Sequence, residues 1–483
     1  MSSEPLTAGR GAPALVLPRL GLRARRVLEH RRVPLAVVAL ALLTFAIPSA
    51  PTYDPWAWIE WGREILHFDL STVDGPSWKP LPVLLTTPFA LFGPLAPDLW
   101  LFTARAAAIA GVVMAYRLAR RLGGHPAAGV AAATAYGLAP WTLRNAALGN
   151  SEGLLVALVL VAVERHLDGR RRAAFAFAAA AALLRPEAWP FLFAYGLWLW
   201  WREPAARRLV AAGFALLPLL WLLPELWGSG DLLRAAHRAH EPAPDSAAFA
   251  RHPAAEVFRQ FGSMLTPVVC AGLAALVPLA IARRAPGGNR LAPALALLGG
   301  AGIWVAEVAF MTSGGFSGNS RYLILPAAVL CVLAGAGLGW ALLAIRAPLR
   351  GAAGIALALA TAAAFAVPSV GHLGGVRASV GYQGRLVAGL KTAIERAGGR
   401  KRLLRCGVPF AGPYQVPALA YQLHVHTSAI GLDPVAPAVA FQVRNTVAEP
   451  PTPSLDGLGR GTVVRTFTIS RGWRIAGSCR SGS

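Results

Sequence analysis

LILPAAVLCVLAGAGLGWALLA, residues 323–344, is a run of 22 residues without a charged side chain. About 20 apolar residues are enough for a helix to cross roughly 30 Å of hydrocarbon. Similar runs recur along most of the 483 residues, of which 55% are hydrophobic and only 14% are charged. A soluble globule of this length could not bury so many apolar side chains. The sequence therefore predicts a polytopic, all-α membrane protein that uses lipid as its solvent.

Hydropathy predicts about eleven transmembrane helices within residues 33–370. The first is expected near 33–48 and the next unambiguous one at 99–118, with a long loop over 51–97 between them. The remaining spans are expected near 126–142, 152–166, 173–185, 188–201, 209–227, 263–282, 291–311, 323–344 and 352–369. An alternative is open at 173–201, where one long helix kinked at Arg185-Pro186-Glu187 would reverse the orientation of every later span.

The net charge of +23 is carried mainly by arginines in short runs between the apolar segments. This distribution argues against nucleic acid as a partner, because a nucleic-acid-binding face needs its cations clustered on a folded soluble surface. The same distribution is typical of membrane proteins with several spans, which concentrate Lys and Arg in their cytoplasmic loops. The basic tail 1–32 is then cytoplasmic, and an odd number of spans places the C-terminus outside. The runs expected on the inner side are Arg120-Arg121, Arg170-Arg171-Arg172, Arg202 with Arg207-Arg208, Arg283-Arg284, and Arg346 with Arg350.

Residues 371–483 differ in composition and are predicted to form a small extracytoplasmic α/β domain. A helix is expected over 377–397, and alternating apolar residues predict strands at 403–408, 418–427, 462–469 and 473–478. Cys406 and Cys479 lie in this domain, where an oxidising compartment permits a disulfide; two buried thiols are the alternative. His424 and His426 would share one face of a strand, which permits a metal site but is also typical of a solvated face.

The loop over 51–97 begins with a carboxylate among aromatic side chains. Asp54 follows the first span and is flanked by Tyr53, Pro55, Trp56 and Trp58, so a shielded carboxylate at this position could have a raised pKa and act as a general base. The alternative is a helix N-cap, because Asp-Pro-Trp is also a good start for an interfacial helix. The loop continues with a predicted amphipathic interfacial helix at 56–68 and a short apolar segment at 80–94 that is expected to be re-entrant or interfacial.

Two other segments carry charge at the predicted outer face. Arg185-Pro186-Glu187 interrupts an apolar stretch, so Arg185 either pairs with Glu187 to close a helical hairpin or faces an anionic ligand. The glycine-rich segment 315–320 leads into Arg321 and Tyr322 at the start of a span. Backbone donors, the helix dipole and a guanidinium together suit a phosphate, and interfacial anchoring is the alternative.

This arrangement resembles the GT-C superfamily of membrane glycosyltransferases that use polyprenyl-phosphate sugars, in its actinobacterial type. The resemblance covers most of residues 33–370 and ends with an outer C-terminal domain. It implies an inverting transfer from a polyprenyl-phosphate-linked sugar donor to a glycan or glycolipid acceptor, at the outer face of a bacterial plasma membrane. The motifs that carry it are Asp54, Trp78-Lys79-Pro80-Leu81-Pro82, Leu184-Arg185-Pro186-Glu187 and Arg321-Tyr322.

The resemblance also implies residue roles. Asp54 would deprotonate the acceptor hydroxyl, and Arg321, Lys79 and Arg185 would bind the donor phosphate. No cofactor is certain, but a divalent cation is possible, with Glu60 as the nearest second acid because Pro55 stands where some members have an adjacent one. A membrane transporter or lipid-handling protein and an inactive scaffold of an envelope-synthesis complex are the alternative functions. The residues implied to contact the sugar or the acceptor are Tyr53, Trp56, Trp58, Glu60, Glu187 and Tyr322.

Overall fold

The computed structural model describes residues 22–47, 49–281, 290–446, 448–456 and 464–479. Within these ranges, the chain forms a bundle of apolar helices followed by a small domain with a four-stranded sheet. The predicted run Arg283-Arg284 and most of the basic tail lie outside the described residues.

Short loops connect the helices of the bundle. Two of these connections contain 3₁₀ turns that carry charged side chains, Pro186–Ala188 and Ser320–Leu323. The helices are α1 (Leu22–Leu43), α2 (Tyr53–Leu66), α3 (Pro80–Phe89), α4 (Ala96–Gly123), α5 (Pro126–Gly137), α6 (Pro140–Ala147), α7 (Glu152–Leu167), α8 (Arg171–Ala182), α9 (Trp189–Arg202), α10 (Arg207–Ser229), α11 (Arg234–Ala239), α12 (Pro253–Ser263), α13 (Pro267–Ile281), α14 (Leu291–Ser313), α15 (Ile324–Ala344) and α16 (Ala347–Arg396).

Among the described residues, five stretches are long and apolar enough to cross a membrane, or seven if each of two sharply bent helix pairs is one span. The bent pairs are α6 with α7 and α12 with α13. Helices α5, α8 and α9 have 12, 12 and 14 residues, which at 1.5 Å per residue is short of about 30 Å of hydrocarbon. The apolar helices make this a membrane protein, while the count of eleven spans stays a prediction.

The first loop forms two packed helices, α2 and α3. Trp56, Trp58 and Trp61 of α2 are at most 3% exposed, because α2 lies between α3 and the C-terminal domain. The predicted helix therefore forms, but it is buried by the rest of the protein instead of lying at the surface as an interfacial helix would. A side chain at Gly62 would meet the α3 backbone, since an added Cβ would lie 2.6 Å from the carbonyl carbon of Thr86.

Residues 173–201 form a hairpin of two helices rather than one kinked helix. Helices α8 and α9 pack against each other. Arg172 near the start of α8 and Glu203 just after α9 form an ion pair, with Nε and Oε1 2.9 Å apart. Since the two open ends of the hairpin meet there, the turn at its tip places Arg185 and Glu187 at the other end of the bundle.

Helix α16 is one continuous helix of 50 residues. The sequence predicted a span at 352–369 and a separate helix at 377–397, with a domain boundary at 371. The intervening residues contain glycines but no proline after Pro368, so nothing forces the helix to stop. Its last turns pack on the C-terminal domain, where the Trp473 indole donates to the carbonyl of Leu386 at 2.8 Å.

The C-terminal sheet has the order β1-β2-β4-β3, with β1 and β2 parallel and the other neighbours antiparallel. Two helices, α17 (Arg400–Cys406) and α18 (Val416–Leu423), stand where strands were predicted at 403–408 and 418–427, because a short apolar run does not distinguish helix from strand. His424 ends α18 with φ 55°, so it does not share a strand face with His426. The elements are α17 (Arg400–Cys406), β1 (Val408–Ala411), α18 (Val416–Leu423), β2 (Ala438–Gln442), β3 (Arg465–Ser470) and β4 (Trp473–Ser478).

A disulfide joins Cys406 at the end of α17 to Cys479 after β4, the pairing that the sequence left open. The bridge closes a loop with a sequence separation of 73 residues. Replacing both cysteines with serine is expected to lower the free energy of unfolding of this domain by about 4 kcal/mol, because the unfolded chain regains the freedom of that loop. Thermal unfolding of the whole protein, followed by calorimetry, measures the change. A Cys270→Ser variant is the control, and equal melting temperatures for all three proteins would contradict the prediction.

Candidate functional site

Five elements bring polar side chains together at one end of the bundle. They are the starts of α2, α3 and α7, the turn between α8 and α9, and the 3₁₀ turn before α15. The C-terminal domain lies at the same end, since Arg63 of α2 donates to the carbonyl oxygen of Tyr421 at 2.8 Å. The five residues, here called the charged cluster, are Asp54, Lys79, Glu152, Arg185 and Arg321.

Asp54 lies between two cations in the charged cluster. Its Oδ2 is 3.2 Å from Nη2 of Arg321 and 3.6 Å from Nζ of Lys79. The N-cap of α2 is Thr52, so the helix-cap interpretation of Asp54 is wrong. The helix begins two residues earlier than the Asp-Pro pair indicates, which places Asp54 in the first turn with its side chain directed at the cations.

The charges of the cluster set the protonation of Asp54 and Lys79. Burial alone would raise the pKa of the Asp54 carboxyl group, but Arg321, Lys79 and Arg185 outweigh burial and lower that pKa to about 2. Burial and the neighbouring Arg185 lower the pKa of Lys79 to about 8. The sequence-based expectation of a raised pKa for Asp54 is therefore wrong, because the neighbouring cations outweigh burial. At neutral pH, Asp54 is a carboxylate and Lys79 is mainly an ammonium.

Arg185 is held inside the cluster by Glu152. Its Nη2 lies 2.5 Å from Oε1 of Glu152, whereas Nη1 is 4.0 Å from Oε1 of Glu187. The guanidinium carbon also stands 4.3 Å from the centre of the Tyr322 ring. The predicted pairing of Arg185 with Glu187 is therefore the weaker of two contacts, and Glu152 is the main partner.

Amide side chains orient Arg321. Its Nη1 donates to Oδ1 of Asn150 at 3.4 Å, and Thr52 donates its hydroxyl to the same oxygen at 3.0 Å. Asn319 accepts a hydrogen bond from the backbone N–H of Arg321 at 3.0 Å and so caps the 3₁₀ turn. Hydrogen bonds thus hold both the backbone and the side chain of Arg321, and its guanidinium faces Asp54.

Two predicted contact residues point away from the cluster. Glu60 is six residues after Asp54, so the two side chains leave the helix about 120° apart at 3.6 residues per turn. Glu60 pairs with Arg63, with Oε1 and Nη2 2.5 Å apart. The Trp56 ring packs on the Tyr421 ring, with their centres 5.2 Å apart. Glu60 and Trp56 therefore join α2 to the C-terminal domain, and their assignment as sugar or acceptor contacts stays a prediction.

The other predicted contact residues lie at or near the cluster. Lys79 stands over the Trp58 ring, with Nζ 5.0 Å from its centre, but Trp58 is fully buried and offers no face to a sugar. Tyr53 is partly exposed beside Asp54. The Tyr322 hydroxyl lies 2.9 Å from that of Ser317. Tyr53, Tyr322 and Glu187 remain candidates for contact with a substrate.

A divalent-cation site made of Asp54 and Glu60 does not fit this geometry. The two carboxylates lie on different faces of α2, and each already has a cationic partner. In the part of the chain that the structure describes, no three His, Cys, Asp or Glu side chains are grouped closely enough to hold a metal. His426 instead pairs with Glu64 of α2, with Nδ1 and Oε1 2.6 Å apart.

Sequence reasoning did not assign roles to Asn150 and Glu152. The stretch Asn150-Ser151-Glu152 before an apolar helix is a common helix start, so its polarity had a sufficient local explanation. The available signal was Glu152 itself, because a carboxylate at the end of a membrane helix is costly without a partner. Only the fold shows that the partner is Arg185.

The chain superposes along almost its whole length on two crystal structures of ArnT from Cupriavidus metallidurans. The structure bound to undecaprenyl phosphate matches with a TM-score of 0.56 and 15% identity, over 95% of this chain and 98% of that chain. The chain has the fold of ArnT. The apo structure of ArnT matches with a TM-score of 0.54 and 16% identity, over 94% and 98% of the two chains. No protein-family model and no curated protein matches the sequence.

The ArnT fold includes both parts of this chain. A coverage of 95% means that the helical bundle and the C-terminal domain are matched together. The prediction of a helical membrane protein that ends in a small α/β domain is confirmed. At 15% identity the likeness concerns the fold and carries no residue roles, and the ArnT matches do not support the actinobacterial type.

Proposed function

We propose that this protein is an inverting glycosyltransferase that moves a monosaccharide from a polyprenyl-phosphate donor to a glycan or glycolipid acceptor. The observation that carries the proposal is Asp54 held between Arg321 and Lys79, on a fold that binds undecaprenyl phosphate in ArnT. A fold that binds a polyprenyl phosphate in ArnT agrees with the resemblance in the sequence to glycosyltransferases that use polyprenyl-phosphate sugars. We place the reaction at the outer face of a bacterial plasma membrane, with the N-terminus cytoplasmic and the C-terminal domain outside.

The exposed fractions of the three cationic side chains indicate which of them a donor phosphate can reach first. The Arg321 side chain is 25% exposed, that of Lys79 10% and that of Arg185 5%. Arg185 is also occupied by Glu152, so a phosphate meets Arg321 and Lys79 first. The planar guanidinium of Arg321 can donate two parallel hydrogen bonds to phosphate oxygens. Arg185 then contributes a fixed positive charge behind them.

Donor binding would convert Asp54 into a usable base. With a pKa of about 2, the carboxylate is a weak base while both cations face it. A phosphate that binds Arg321 and Lys79 compensates their charge and takes the place of Asp54 as their partner. The pKa of Asp54 then rises, and the carboxylate is free to accept a proton. Base activation is in this way linked to the presence of the donor.

The transfer itself is a single displacement. The acceptor hydroxyl oxygen attacks the anomeric carbon from the face opposite the phosphate, so the new C–O bond forms as the bond to the phosphate oxygen breaks and the configuration inverts. The hydroxyl proton goes to Asp54, and the electron pair of the broken bond goes to the phosphate oxygen. Arg321 and Lys79 stabilise the charge that develops there.

The test is covalent transfer from a defined donor. Purified protein in vesicles receives polyprenyl-phosphate monosaccharides labelled in the sugar, together with the envelope glycan fraction of a deletion strain. The expected result is label covalently attached to glycan and stoichiometric release of polyprenyl phosphate. Movement of intact donor across the vesicle membrane without bond formation would favour a transporter. Neither transfer nor movement, together with a co-purifying partner, would favour a scaffold.

Lys79 makes donor binding depend on pH. Because its pKa is about 8, the ammonium is present below pH 8 and is lost as the pH rises through this value. The Kd for the donor is expected to increase about tenfold between pH 7 and pH 9, following the loss of the charged form. Lys79→Arg keeps its charge throughout this range and should bind with little pH dependence. A pH-independent Kd in the wild type would contradict the assignment of Lys79.

A further inference from the structure

The C-terminal domain is strongly basic. Residues 371–483 contain fourteen Lys or Arg and four Asp or Glu. Cations in short loops orient membrane proteins, whereas folded domains cross the membrane largely regardless of their charge. The domain packs on α2 beside Asp54, at the opposite end of the bundle from the ion pairs of Arg121 and Arg172. Membrane topology therefore does not account for its positive charge.

Five of these cations cluster where α16 meets α17. The turn between the two helices is made by Gly398 and Gly399, whose φ values of 100° and 81° suit glycine. All five side chains are exposed, and none forms an ion pair with an acidic residue in the described ranges. The five are Arg396, Arg400, Lys401, Arg402 and Arg405.

The β3–β4 hairpin extends the same surface. Nη1 of Arg396 donates to Oγ of Ser470 at 2.8 Å, and the next residue, Arg471, is exposed. The Arg402 guanidinium stands over the Phe467 ring, 5.7 Å from its centre. These contacts join the helix turn and the hairpin into one surface, here called the basic face: Arg396, Arg400, Lys401, Arg402, Arg405 and Arg471.

The basic face lies beyond the edge of the apolar bundle, further along α16. Gly384 of α16 packs on Ser49, so that an added Cβ would lie 3.1 Å from the Ser49 backbone nitrogen. Ser49 follows directly after the apolar segment Arg32–Ala46, which marks the edge of the bundle. Arg396 is a further twelve residues along α16, or about 18 Å at the rise of an α-helix. A head-group layer is only about 5–8 Å thick, so we expect the partner of this face in the aqueous phase.

We infer that the basic face binds an anionic glycan, one that carries phosphate or carboxylate groups, and holds it as the acceptor. The choice of a glycan rests on the proposed function, whereas the requirement for negative charge rests on this surface alone. Exposed guanidinium and ammonium groups attract phosphate and carboxylate oxygens through their positive charge. Several unpaired cations on one side of a small domain also attract a polyanion over a distance of about 8–10 Å at moderate ionic strength.

Binding is tested in the absence of any donor, with the whole protein in nanodiscs of phosphatidylcholine. The probes are fluorescent oligogalacturonate and poly(glycerol phosphate), with uncharged dextran for comparison. Wild type is expected to bind both polyanions with an affinity that falls steeply with salt, and to ignore dextran. Arg400→Gln combined with Lys401→Gln and Arg405→Gln should weaken polyanion binding at least about tenfold. The matched control, Arg400→Lys with Arg405→Lys, retains the charge and should stay within about twofold.

Three results would overturn the inference. One is equal polyanion affinity for the glutamine variant and the wild type. Another is an equal loss of affinity in the lysine control, which would assign the effect to folding rather than charge. The third is co-flotation of the nanodiscs with phosphatidylglycerol vesicles without binding of either soluble polyanion, which would assign the face to a membrane. Because the assay needs no transfer, it remains informative even if the proposed glycosyltransferase activity fails its own test.

Discussion

Replacing Asp54 with Asn is expected to reduce kcat for sugar transfer by about 10²- to 10⁴-fold, the range typical of a lost general base. The amide has nearly the same size and can still accept a hydrogen bond from Arg321, but it cannot take the acceptor proton. The KM for the donor should stay the same or fall, because Arg321 and Lys79 no longer have a competing carboxylate. Initial rates with a labelled donor lipid, measured at several donor concentrations, separate kcat from KM.

The control for this variant is Asp98→Asn, a change of the same type at an exposed position in the first turn of α4. It should transfer like the wild type. If Asp54→Asn transfers at nearly the wild-type rate and the protein is intact, Asp54 is not the base. If its KM rises while kcat is unchanged, Asp54 contributes to binding and another group takes the proton.

Replacing Arg185 with Met is expected to lower the free energy of unfolding by about 3–5 kcal/mol, the usual cost of breaking a buried ion pair from one side. Glu152 is only 1% exposed and lies 2.5 Å from Arg185, so the single substitution leaves a buried carboxylate without its main counter-charge. Thermal unfolding in detergent micelles, followed by size-exclusion chromatography, measures the loss. An exposed pair is the control, because Arg172→Met breaks the ion pair with Glu203 at a cost of at most about 1 kcal/mol.

The double variant Arg185→Met with Glu152→Met separates stability from function. Both charges are removed together, so most of the stability should return, since apolar groups often replace a buried ion pair without loss. Transfer should not return, because the fixed positive charge behind Arg321 and Lys79 is still missing. Recovery of both stability and transfer would make the role of Arg185 purely structural. Wild-type stability in the single variant would show that the pair is not shielded from water.

The charged cluster could be predicted in part from the sequence. Asp54, Lys79, Arg185 and Arg321 are charges at the ends of apolar segments, a position that is costly without a partner or a function. Their mutual contacts span up to 267 positions of sequence, and no local pattern reports such a distance. Glu60 was expected to be the second acid beside Asp54, but helix rotation and packing direct it to Arg63 and bring Glu152 into the cluster instead.

The sequence by itself determined that this chain lies in lipid, that most of it is helical and that a separate α/β unit ends it. These properties depend on composition and periodicity, because the hydrocarbon layer sets the length and apolarity of each crossing. Tertiary structure alone decided that α2 is buried, that α16 is continuous, that 418–427 contains a helix and that Arg185 pairs with Glu152. Each of these depends on contacts between residues distant in sequence, since packing overrides local preference wherever a short apolar segment is compatible with more than one conformation.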